Sequence, residues 1–142
     1  EPEPAIVARQ CFQVPREDSS PNFDFLSKLD ESYYPEAHAA DVIRLVTLWK
    51  YGGTYLDSDF IIFKPVNEVQ NFVAAQAVLA NDSIANGVLN FNDHGKPILE
   101  ALLKDLQLNF PGKKLGWKRA YFMTKVISKI CNESMCVYAT KN

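Results

Sequence analysis

The stretch Asp41-Val42-Ile43-Arg44-Leu45-Val46-Thr47-Leu48-Trp49-Lys50-Tyr51-Gly52-Gly53-Thr54-Tyr55-Leu56-Asp57-Ser58-Asp59-Phe60 reads as a helix, a turn and the start of a strand. Val42, Leu45, Val46 and Trp49 recur at helical spacing, and just upstream Pro35 suits a first helical position and Glu36 the positive end of a helix. A helix of about four turns is therefore predicted from Pro35. Gly52-Gly53 ends it, because a glycine takes the left-handed cap conformation that a side chain resists. Thr54 to Phe63 is β-branched and aromatic with acids set into it, which marks a strand region that Pro65 closes.

Strand geometry sends residues two apart to the same side, so Asp57 and Asp59 are placed to share one cation. Magnesium or manganese takes carboxylate oxygens from few protein ligands and completes its shell with water and phosphate oxygens. An isolated D-x-D triplet is most often a solvated turn. Here it lies between Tyr55-Leu56 and Phe60-Ile61-Ile62-Phe63, where two carboxylates are costly to hold without a cation or hydrogen bonds. Asp41 and Arg44, three apart on the preceding helix, are neighbours on its surface. They are either a solvated ion pair or a carboxylate and guanidinium that hydrogen-bond sugar hydroxyls and offset charge near a diphosphate. Gly52-Gly53 permits close approach of backbone to a ligand.

Outward from this centre, the first thirty or so residues are rich in Pro, Glu, Asp and Ser and read as loop with one possible strand, so residues 1–34 form a poorly defined N-terminal segment. Strand candidates fall around Phe72–Leu79 and Ile84–Phe91, either of which could include a short helix. Lys96-Pro97 opens a second helix with Ile98, Leu99, Leu102, Leu103 and Leu106 on one face, closed by Asn109-Phe110-Pro111-Gly112. Ala120, Met123, Val126, Ile127 and Ile130 give a third helix, ending near Cys131. Helices alternating with strands predict an α/β domain with a mixed, mostly parallel sheet.

With 142 residues, 47% hydrophobic and 12% aromatic, the chain can bury one ordinary core, so a single domain, or part of one, is expected over 1–142. A formal net charge of -2 with scattered Lys and Arg leaves no basic stripe for nucleic-acid phosphates. No apolar run reaches bilayer-spanning length. The chain opens Glu1-Pro2-Glu3-Pro4 without an initiating Met, which suggests an anchor upstream. Of the three cysteines, Cys131 and Cys136 are close enough for a local bridge, leaving Cys11 over. Asn81-Asp82-Ser83 and Asn132-Glu133-Ser134 are glycan acceptor triplets if the chain enters a secretory compartment.

The Asp41 to Phe60 stretch resembles the D-x-x-R…GG-x-Y-x-D-x-D signature of the DXD-containing sugar-transferase family, in the branch of the alpha-1,4-galactosyl- and alpha-1,4-N-acetylglucosaminyltransferases. The resemblance continues in Asn86-Gly87-Val88-Leu89-Asn90-Phe91, similar to an N-G-x-L-x-F strand, in the helix from Pro97 to Phe110, and in Thr124-Lys125-Val126. It implies a GT-A nucleotide-sugar fold, incomplete at both ends here, and a retaining, Mn2+- or Mg2+-dependent transfer of galactose or N-acetylglucosamine. The donor would be a UDP-sugar and the acceptor a galactose-terminated glycolipid or glycan. The full-length protein would be a type II membrane protein with its catalytic domain in the Golgi lumen. Carried over residue by residue, Asp59 is the direct metal ligand, and Asp57 meets the metal shell and the donor. Asp41 and Arg44 hold the donor sugar, with Gly53, Tyr55, Asn86 and Gly87 lining the same site.

Two departures qualify it. The family's G-H-x-G-P segment reads Gly116-Trp117-Lys118-Arg119-Ala120 here, with Trp in place of His, and the uridine-binding first strand is not recognisable in residues 1 to 40. A catalytically impaired relative that binds nucleotide sugars or glycans is therefore the alternative. An aspartate-based phosphatase also places D-x-D after an apolar strand. It expects Thr or Val where Ile61 stands, and a downstream acidic pair. A zinc enzyme is disfavoured, since only His38 and His94 exist; His38 is expected to flank the helix start and His94 to lie in a turn. Trp49 is expected in the core, and Trp117 either there or as a sugar-stacking platform.

Overall fold

The structure, a computed structural model, describes residues 8–11, 25–63, 65, 69–75, 84–110, 112, 119–133 and 136–139. In chain order its elements are β1 (Ala8–Cys11), α1 (Leu26–Asp30), α2 (Pro35–Tyr51), β2 (Gly53–Leu56), β3 (Phe72–Ala75), β4 (Ile84–Phe91), a single 3-10 turn (Asp93–Gly95), α3 (Lys96–Leu108), α4 (Arg119–Glu133) and β5 (Cys136–Ala139). The Gly116–Lys118 segment and the Asn81 triplet fall outside the described residues.

The three long helices form where the apolar spacing predicts them. α2 runs 17 residues with Pro35 in its first turn, Glu36 at its positive end and Lys50 at its negative end. At its end Gly52 N–H donates to Leu48 O at 2.8 Å, with Gly52 at φ 66° and Gly53 at φ 96°. A side chain is strained at either φ, and a Cβ on Gly52 would also lie 3.1 Å from Phe91 O. The doublet lets the chain leave α2 and enter β2 at once. Asn92 Oδ1 accepts from His94 N–H at the 3-10 turn that leads into α3, so His94 does stand in a turn.

The core is built from one face of each helix and one face of β4. α3 lies between the other two: its Leu99, Leu102, Leu103 and Leu106 share one core with Leu45 and Leu48 of α2, Met123 and Ile127 of α4, and Leu89 and Phe91 of β4. Trp49 is only partly buried. Its indole Nε1–H donates to Glu100 Oε1 at 3.0 Å and ties α2 to α3. His38 is inside the first turns of α2, buried, with Nδ1 2.6 Å from Ser32 Oγ and its ring edge-on to Phe110.

The sheets differ from the expected, mostly parallel arrangement. Every described strand pair is antiparallel: β2, β4 and β3 form one sheet in that order, and β1 pairs with β5 in another. A parallel pair needs a crossover of a dozen or more residues, usually a helix, between its strands. The described helices lie before β2 or after β4, so helix and strand alternate along the chain without a described helix joining two strands of the three-stranded sheet. The observed architecture is α/β, with a small antiparallel sheet under the helices. In the β1–β5 register Cys11 stands opposite Cys136.

Leu99 is fully buried at the centre of this core, whereas Ile43 lies on the outward face of α2. Leu99→Ala is expected to lower unfolding free energy by about 2–5 kcal/mol, and Ile43→Ala by under about 0.5 kcal/mol, in urea denaturation. Equal effects would mean that α3 does not form the centre of the core.

Candidate donor and metal site

β2 ends at Leu56, not at Phe63 as its composition suggests. Asp57 N–H still donates to Gly87 O at 2.8 Å, but Asp57 O accepts from Phe60 N–H at 3.2 Å and closes a tight turn. The acids therefore stand on a turn beyond the strand end, where simple alternation no longer sets their directions. The run after them leaves the sheet: Phe60, Ile61, Ile62 and Phe63 are exposed, Phe63 to 90%. The apolar flank that made the acids look costly is buried only on the Tyr55-Leu56 side, and there only in part.

The turn meets α2 through Arg44. Its side chain is 4% exposed, as is that of Asp41, and Nη2 lies 3.4 Å from Asp41 Oδ1. Nη1 lies 3.1 Å from Asp57 Oδ1 and donates to Asp57 Oδ2 at 3.3 Å and to Asn86 O at 2.6 Å. Nε donates to Ala40 O at 3.3 Å, and the guanidinium carbon stands 4.7 Å from the centre of the Tyr55 ring. One guanidinium thus spans two carboxylates, a strand carbonyl and an aromatic face, using the fixed fork that a lysine lacks. The pair is not a solvated surface contact.

β4 supplies the rest. Asn86 Nδ2 donates to Asp41 Oδ1 at 2.8 Å, so its side chain orients Asp41 while its carbonyl receives Arg44. Gly87 is buried beneath the turn, where an added Cβ would fall 2.7 Å from the Phe60 ring and 3.0 Å from Asp57 Oδ2. That contact is the physical reason for glycine here: only a missing side chain lets the turn sit down on β4. The Tyr55 hydroxyl donates to Asp57 Oδ1 at 2.7 Å. Burial, and then this bond to Asp57, push the Tyr55 phenol above its ordinary range.

Of the residues expected in the site, Asp41, Arg44, Tyr55, Asp57, Asn86 and Gly87 are brought together. Asp59 sits beside them, exposed and without a hydrogen bond or ion pair among the described residues. Gly53 is not part of the cluster. It starts β2 opposite Phe91, while Leu56, which precedes the turn, lies opposite Val88, roughly 10 Å further along the strand. Its positive φ serves the turn out of α2. Among the described residues no three His, Cys, Asp or Glu side chains gather as a metal cage. An open carboxylate at Asp59, next to Asp57, is all-oxygen and leaves most of the shell to water and phosphate, which fits magnesium or manganese and not zinc.

A buried ion pair at a strand end, a glycine-seated acidic turn and an exposed carboxylate are thus gathered after β2. Residues 10–79 match the family model of the glycosyltransferase sugar-binding region containing the DXD motif, and residues 91–142 match that of the alpha 1,4-glycosyltransferase conserved region. The chain belongs to this family of DXD-containing glycosyltransferases. It is similar to human alpha-1,4-N-acetylglucosaminyltransferase, 27% identical over 83% of this chain and 42% of that one. Mouse lactosylceramide 4-alpha-galactosyltransferase is 30% identical over 66% of this chain and 25% of its own length. An uncharacterized protein of Arabidopsis thaliana is 31% identical over 70% of this chain and 15% of its own. The chain thus spans less than half the length of these relatives. No solved structure matches it.

Two substitutions test the cluster by stability alone. Arg44→Leu leaves the buried Asp41 carboxylate without its cation and is expected to cost about 3 kcal/mol in urea denaturation. A loss below about 1 kcal/mol would show that the pair is not needed to bury Asp41. Gly87→Ala should cost less, about 1 kcal/mol, because the outer end of the half-exposed Phe60 ring can swing away. Its signature is a changed environment at the turn, read as shifted amide resonances of Asp57 to Phe60.

Proposed function

We propose that this chain carries the donor site of a metal-dependent, retaining glycosyltransferase of the GT-A type. It moves galactose or N-acetylglucosamine from a UDP-sugar to a galactose-terminated glycolipid or glycan, in alpha-1,4 linkage. The observation that carries the reading is the convergence of Asp41, Arg44, Tyr55, Asp57 and Asn86 at the end of β2, two residues before the exposed Asp59. The names of the human and mouse relatives support the hexose and the linkage. Work on lipid-linked acceptors fits a Golgi lumen location and a single type II membrane anchor in the full-length protein. Among the described residues no helix is long and apolar enough to cross a membrane.

In this reading Asp59, with Asp57 adjoining, holds Mn2+ or Mg2+ against the diphosphate. The ion supplies Lewis-acid stabilisation of the charge that develops on the leaving nucleotide diphosphate. The chain's own groups do the positioning. Asp41 and Arg44, ion-paired with each other and held by Asn86 and Ala40 O, would fix the donor-sugar side of the site. Arg44, paired with Asp57, offsets one of the negative charges that the turn would set beside a diphosphate.

Titration calorimetry of UDP with and without Mn2+, beside an assay of donor hydrolysis, tests this. Wild type should bind UDP in a Mn2+-dependent manner, and Asp59→Ala should lose roughly tenfold or more of that affinity. Unchanged binding in Asp59→Ala would overturn the site. Mn2+-dependent binding without any UDP release from the donor would instead mark a binding protein that does not turn over.

A further inference from the structure

No cysteine belongs to the donor-site cluster, yet the backbone brings two of the three together from opposite ends of the chain. β1 and β5 pair antiparallel, with Ala8 opposite Ala139 at one end of the ribbon and Cys11 opposite Cys136 at the other. Residues directly opposite in such a pair have Cα atoms about 4.5–5.5 Å apart and share one side of the ribbon. A disulfide needs Cα atoms about 4.4–6.8 Å apart, so this register position meets the backbone requirement for one. Cys131 lies in the last turn of α4, which runs to Glu133, and only closeness in sequence pairs it with Cys136. Each strand of the ribbon is four residues long, and among the described residues no third strand joins them, although β1 lies against β3. A two-stranded ribbon this short is marginal by itself.

We propose that Cys11 and Cys136 form a disulfide that staples the end of the β1–β5 ribbon, with Cys131 left as the free thiol. The bond forms by two exchanges with a small-molecule disulfide such as oxidised glutathione. One cysteine thiolate attacks a sulfur of that oxidant, which gives a mixed disulfide and releases one glutathione thiolate. The other cysteine thiolate attacks the protein sulfur of the mixed disulfide, and the second glutathione thiolate leaves. The two cysteines give up their protons to solvent, the two released thiolates take protons up, and the oxidant accepts both electrons. The bridge closes a loop of more than about a hundred residues, a length at which a cross-link restricts the unfolded chain strongly. Secretory compartments, such as the Golgi lumen proposed above, are oxidising enough for such a bond to persist.

The test is a peptide map of the full chain after equilibration with oxidised glutathione. Free thiols are alkylated, and the protein is cut after glutamate without reduction, which separates Cys131 from Cys136 at Glu133. Mass spectrometry should find the peptide holding Cys11 joined to the one holding Cys136, and Cys131 alkylated. Cys131 joined to either of the others, or all three cysteines alkylated, would overturn the proposal. Thermal unfolding gives a second reading. Dithiothreitol should lower the midpoint of the oxidised wild type by roughly 5–15 °C. Cys131→Ser should keep that shift, whereas Cys11→Ser and Cys136→Ser should each unfold near the reduced midpoint and not respond to dithiothreitol. Loss of the shift in Cys131→Ser, or its retention in Cys11→Ser, would assign the bridge elsewhere and sink the proposal. Where a variant does not fold, the wild-type peptide map alone decides. Neither reading involves UDP or Mn2+, so a failed donor site leaves both intact.

Discussion

The Arg44 guanidinium is the contact on which the end of β2 depends. Two carboxylates, Asp41 from the helix and Asp57 from the turn, come close to one place, and without a cation between them they would repel each other and resist burial. Arg44 resolves both problems at once and also takes the carbonyl of Asn86, so helix, turn and strand are locked by one side chain. Its position explains the sequence around it. A helix is needed to set Asp41 and Arg44 one turn apart, and a sharp exit at Gly52-Gly53 is needed to bring β2 back along that helix face. Buried ion pairs of this kind add little to net stability. Their value lies in fixing direction.

Direction matters for the proposed chemistry, because transfer depends on holding the donor in one pose. Every polar group in the cluster except Asp59 is held by at least one protein partner before any ligand arrives. Asp41 is fixed by Arg44 and Asn86, Asp57 by Arg44, Tyr55 and the backbone of Gly87. Such preorganisation lowers the cost of ordering side chains on binding. The exposed position of Asp59 is the complement: under the proposed function, a ligand to an ion that arrives with its phosphate has to stay open.

The helices were legible because each carries its own periodic signal. Pro35–Tyr51, Lys96–Leu108 and Arg119–Glu133 match their apolar spacing within a few residues, and the glycine doublet marks where the first one ends. Pairing of the strands was not legible, since alternation of helix and strand along the chain does not say which strands are joined through a helix. The length of β2 departs from its composition for a different reason. Phe60-Ile61-Ile62-Phe63 has strand composition, but the bond from Phe60 N–H to Asp57 O and the seat on Gly87 turn the chain out of the sheet before it. Composition reports what a segment would tolerate, and tertiary contact decides what it does.

The site shows the same division. Asp41, Arg44, Asp57 and Asp59 can be picked out by type and spacing, yet their burial and their roles cannot. Spacing alone leaves Asp41 and Arg44 equally consistent with a solvated pair, and only the 4% exposure of both side chains excludes it. Asn86 looks like a group facing the ligand until its amide is seen on Asp41, and Gly87 like a backbone approach point until the Phe60 ring and the Asp57 carboxylate are seen against it. Both residues shape the acids: Asn86 orients Asp41 and Gly87 seats the Asp57 turn. The two aspartates of the D-x-D triplet, identical in sequence, are made unequal by neighbours 2 and 13 residues away, Tyr55 and Arg44. A motif written as letters treats them as a pair; the fold makes one a fixed hydrogen-bond acceptor and leaves the other exposed to solvent.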